Sequence, residues 1–72
     1  MNDTDTAAAA AAIYVNKCRA ILQEETARSG GAPVRRLLLP QPYTPTERHA
    51  LHDWLDEIYR ETRTSIGVRF RE

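Results

Sequence analysis

The stretch PVRRLLLPQPYTPTE, Pro33 to Glu47, decides how this chain folds. Its first half, Val34-Arg35-Arg36-Leu37-Leu38-Leu39, is held between Pro33 and Pro40. A segment that short does not sustain a helix, and its pattern predicts a strand with Leu37 and Leu39 facing the core. Val34, Arg36 and Leu38 then fall on the other side, where Leu38 is either covered or exposed. Its second half, Thr44-Pro45-Thr46-Glu47, reads as a capping box with proline at the first helical position. Thr44 can accept from the Glu47 backbone N–H while the Glu47 side chain bonds back to Thr44. A strand that runs almost directly into a helix is the unit around which the rest is arranged.

Downstream, Leu51, Trp54, Leu55 and Ile58 follow the i, i+3, i+4, i+7 template, which predicts a helix from Pro45 to about Thr62. Tyr43, just before the cap, is placed to staple the helix start, and Asp56 with Arg60 forms an i,i+4 pair. Ser65 to Arg71 then alternates strictly, with Ile66, Val68 and Phe70 on the core side and Gly67, Arg69 and Arg71 opposite.

Upstream, Ala12 to Arg28 reads as a firm helix with a core stripe of Tyr14, Cys18, Ile21 and Leu22, joined by Ala7 and Ala11. Ile13 lies off that stripe and is a candidate contact residue. Ser29-Gly30-Gly31 stops the helix, glycine being able to take positive φ at C′. Residues 1–11 read as an Ala-rich segment that frays, with Asp3 and Asp5 at the positive helix end and Thr4 or Thr6 as cap. Residues 12–72 make one domain of α+β class in α-β-α-β order, a two-stranded sheet packed on two helices. A helix between two strands predicts parallel pairing with a right-handed crossover. Antiparallel pairing and completion of the sheet by another chain are the alternatives.

The 72 residues balance ten Lys+Arg against ten Asp+Glu. Discounting alanine, about twenty apolar side chains remain to build a core. A core that thin speaks against a deep multi-step active site, and zero net charge speaks against a nonspecific nucleic-acid coat. All the positive residues except Lys17 are arginine, which suits bidentate contact at interfaces as well as the codon usage of a GC-rich genome. A single cysteine excludes an internal disulfide, and no run is long and apolar enough to span a bilayer. The acidic start is unlike a signal peptide, so the expected location is the cytoplasm.

Candidate chemistry is sparse. His49 and His52 lie at i, i+3 beside Asp53 and Asp56, but zinc needs ligands from a second element. Cys18 sits on the apolar stripe, where a thiol is packing. Gly30-Gly31 follows a helix, unlike a phosphate-binding loop, and leads into a strand, unlike a helix-turn-helix. No catalytic residue, cofactor or metal is expected.

The arginines form the remaining pattern. If the strands are neighbours, Arg36 and Arg69 or Arg71 project from the sheet face away from the core. Acidic residues gather instead on the second helix, at Asp53, Asp56, Glu57 and Glu61, which makes the molecule dipolar. With Arg35, Leu38 and Ile13 these arginines are the candidate partner-binding residues, and Arg36, Arg69 and Arg71 the candidate nucleic-acid contacts.

In the whole character of the chain, with its Val34-Arg35-Arg36-Leu37 and Val68-Arg69-Phe70-Arg71 strands and no catalytic set, the protein resembles small bacteriophage proteins that bind host RNA polymerase and regulate transcription. The resemblance implies inhibition of initiation, or antitermination, in the host cytoplasm through polymerase contacts, with RNA or DNA contact secondary. Two rivals stand beside it. An anti-CRISPR type of inhibitor would use the acidic row as a DNA mimic, and a nucleic-acid-binding module would bind free RNA or DNA with strong salt dependence.

Overall fold

A computed structural model of the chain describes the backbone of residues 3–71 and the side chains of residues 5–71. The order is α1 (Asp3–Arg28), β1 (Arg36–Leu39), α2 (Pro45–Thr62) and β2 (Gly67–Phe70), an α+β arrangement in α-β-α-β order. The two strands pair in parallel, Arg36 with Gly67 through Leu39 with Phe70. α2 spans the distance from the end of β1 to the start of β2, which is what parallel pairing demands of a crossover.

α2 begins and ends where local chemistry dictates. Thr44 Oγ1 accepts from the Glu47 N–H at 3.1 Å and donates to the Glu47 carboxylate at 3.0 Å. The reciprocal half of the expected box is thus made hydroxyl to carboxylate. Pro45 occupies the first turn, and Arg63 closes the helix in the left-handed region, its N–H reaching Tyr59 O at 2.7 Å. Asp56 and Arg60 pair at 2.9 Å on the exposed side.

α1 is continuous across residues 11 and 12, and Ala11 is buried. Thr4 and Thr6 fall inside the helix, so neither is its cap; the side chains of residues 3 and 4 lie outside those described. Gly30, at φ 64°, takes the conformation expected after the helix end. The core joins Tyr14 and Cys18 of α1, Leu37 and Leu39 of β1, and Leu51 and Trp54 of α2. Ile21, Leu22, Leu55, Ile58, Ile66 and Val68 are half-buried around it.

Three expectations need correction. The strands are shorter than Val34–Leu39 and Ser65–Arg71, because the ladder is framed by Gly67 N–H to Arg35 O at 2.8 Å and Arg71 N–H to Leu39 O at 2.9 Å. Tyr43 is 86% exposed and staples nothing: it stands beyond the helix start, and the cap is held by Thr44 and Glu47. Phe70 is 43% exposed although it occupies a core-side position. β1 lies close against α1, whereas the backbone of β2 approaches neither helix closely, and its core-side contact is made by half-buried Val68 while Phe70, at the strand's end, stays open. Among the described residues no helix is long and apolar enough to cross a membrane.

Candidate protein interface

The parallel register determines which side chains share a face. Leu37 and Leu39 point into the core, which turns Arg36 and Leu38 outward. Arg36 lies beside Gly67 and Leu38 beside Arg69, so Arg69 projects on the same outer face. Arg71 continues that alternation one step past the strand. Gly67 carries no side chain, and an open groove runs over it between Arg36, Leu38 and Arg69, with Glu25 of α1 at its rim. A second shallow hollow is lined by Leu38, Arg69, Phe70 and Arg71.

This face is basic around an apolar centre. Leu38 is 49% exposed, and Arg36, Arg69 and Arg71 are all exposed. None of the three enters an ion pair among the described residues; the recorded pairs are Glu25–Arg28, His49–Asp53 and Asp56–Arg60. A guanidinium group on such a face can take a carboxylate or phosphate partner bidentately. Asp53, Asp56, Glu57 and Glu61 are exposed on α2, away from the strands.

The other predicted contact residues do not join this face. Arg35 precedes β1 and is out of phase with Arg36, its carbonyl being used by Gly67. Ile13, 57% exposed, borders a separate hollow with Lys17, Pro40 and Tyr43. Sequence reasoning placed Phe70 and Tyr43 in packing roles, and both are open to contact. For Phe70 a signal was present, since a sheet of two strands has no interior strand and the residue stands between two arginines.

Cys18 is fully buried, and burial pushes its thiol up. Tyr14 donates to Pro40 O at 2.7 Å, and burial, followed by the neighbouring Cys18, holds its phenol well above the usual range. His49 lies 3.5 Å from Asp53 on open surface, and no group of three or more metal-ligating side chains gathers among the described residues.

Fold and surface together define a small α+β domain with one exposed basic sheet face. No protein-family model, curated protein or solved structure matches the chain.

Proposed function

We propose that this protein is a non-enzymatic regulator that docks its arginine-bearing sheet face on an acidic surface of a larger protein. The observation that carries this reading is the convergence of Arg36, Leu38 and Arg69 on one open face with no ion pair among the described residues. A basic rim around an apolar centre fits protein recognition, in which charge steers the approach and apolar contact holds it. Among the described residues the thiol is sealed, His49 and Asp53 pair alone on open surface, and the Thr44 hydroxyl beside the Glu47 carboxylate is spent on capping α2, which supports a binding role over catalysis.

The partner follows from the resemblance to phage regulators: bacterial RNA polymerase, with inhibition of initiation or antitermination as the outcome. The same arginines give emerging RNA a secondary contact. No aromatic side chain lies on the outer positions of the two strands, and Phe70, which shares a hollow with Arg69 and Arg71, is the ring a nucleic-acid target would use for stacking, so nucleic acid is the second reading.

The test uses immobilised RNA polymerase holoenzyme from a bacterium with a GC-rich genome, with free RNA and duplex DNA in parallel. The wild-type chain binds polymerase and shifts run-off or terminator read-through. The double variant Arg36→Glu, Arg69→Glu keeps its helical circular dichroism and loses affinity by about a hundredfold, as expected when two desolvated charge pairs become like-charge contacts. Absence of binding, or equal binding by the variant, refutes the reading. Tighter, steeply salt-dependent binding to free nucleic acid would favour the nucleic-acid module instead.

A further inference from the structure

We infer that β2 is an acceptor strand: an extended segment of the partner, alternating acidic and apolar residues, adds to its open edge by main-chain hydrogen bonds. This rests on the reading that the arginine face meets an acidic protein, and it specifies how that contact is made.

The N–H groups of Gly67 and Arg71 are spent on β1. Backbone groups alternate along a strand, so the N–H and C=O of Val68 and Phe70 point to the opposite side, where among the described residues no further strand pairs and no helix comes into close backbone contact. An unpaired strand edge is a template for another strand. The edge of β1 is a poorer one, since it ends at Pro40, which has no N–H, and α1 lies against that strand.

The side chains at the β2 edge define the incoming sequence. Arg69 projects outward with Arg36, and Arg71 follows, so acidic residues of an added strand would sit beside them on the outer face. On the inner side, Val68 is half-buried and Phe70 lies open, so apolar residues there would cover Phe70 and extend the core. A second copy is the competing occupant. Antiparallel β2 pairing centred on Arg69 or Phe70 would set Arg69 opposite Arg69 or Arg71 of the other copy, a like-charge contact, whereas centring on Val68 sets Arg69 opposite Gly67, and sedimentation of the free protein tests that register.

The probe is a synthetic peptide of about eight residues alternating Glu and Val, the length of an ordinary strand. A Lys/Val peptide of the same pattern is the control. In the isotope-labelled full chain, the Glu/Val peptide slows amide exchange at Val68 and Phe70 by about tenfold or more, the Lys/Val peptide does not, and the free protein sediments as a monomer. Phe70→Pro removes an N–H that β1 does not use and is tolerated at an edge. It lowers peptide affinity by about tenfold relative to Phe70→Ala, which keeps the donor.

The inference is overturned if the Glu/Val peptide fails to bind at millimolar concentration, if the Lys/Val peptide binds equally, or if Phe70→Pro and Phe70→Ala bind alike. A dimer held through β2 would also overturn it. Should the peptide fail while Arg36→Glu, Arg69→Glu still abolishes polymerase binding, strand addition falls and the proposed function stands. Should the peptide add to β2 while polymerase does not bind, the acceptor strand stands and that choice of partner falls.

Discussion

In β1, Leu39 is completely buried; its register partner in β2, Phe70, is 43% exposed. Both residues occupy core-side positions of alternating strands, and both belong to the same two-stranded sheet. The difference is in what stands behind them. β1 has α1 against it, and Tyr14 ties α1 to the end of that strand through Pro40 O. β2 has β1 and nothing further at the level of the backbone. One strand therefore sends two buried leucines into the core while the other meets it only through half-buried Val68, with its arginines turned to solvent.

That contrast can be broken most sharply at Leu39. Leu39→Ala leaves a cavity at the centre of the core and should cost about 2–5 kcal/mol, enough to unfold much of so small a domain, as read by urea denaturation. Alkaline pH attacks the same side of the molecule. The Cys18 thiol and Tyr14 phenol are neutral when protonated, and burial raises both above their ordinary values of 9.0 and 10.0. The unfolded chain ionises first, so the stability these groups contribute is complete below pH 9.0 and declines as pH rises from there toward their folded values. Urea midpoints across that range should fall, and Cys18→Ala with Tyr14→Phe should flatten the decline.

Tyr14→Phe alone removes the tie to Pro40 O and should cost about 1 kcal/mol at neutral pH, measured in the same way. Phe70→Ala should cost less than Leu39→Ala, about 1 kcal/mol, because the residue stays 43% exposed. A loss at Phe70 as large as that at Leu39 would mean that the strands are equally embedded, and would remove the distinction between core strand and acceptor strand.

Much of the architecture was legible because its signals are local. The Thr44–Glu47 cap and the Leu51-Trp54-Leu55-Ile58 spacing act within a few residues of themselves, and the helix spans Pro45–Thr62 as they predict. The stripe of Tyr14 and Cys18 and the exposure of Ile13 follow from helical periodicity in the same way. Alternation also told which side of each strand is which, and so placed Arg36 and Arg69 on one face once pairing was parallel. It did not tell how deep a side is. Phe70 was assigned to the core and Tyr43 to a staple because aromatic residues in phase usually pack, and both remain exposed.

From the sequence alone came the α-β-α-β order, the limits of α2, the glycine turn after α1, and the separation of arginine-bearing strands from an acidic helix surface. These depend on backbone propensity, capping and periodicity, which neighbouring residues impose on one another. Tertiary structure decided for the parallel pairing that the intervening helix predicted over its alternatives, set Arg35 and Ile13 apart from the Arg36–Arg69 face, and left Phe70 of β2 exposed. Each of these depends on where a distant element comes to rest. A strand's pattern specifies which way its side chains point, and only packing specifies whether anything meets them there.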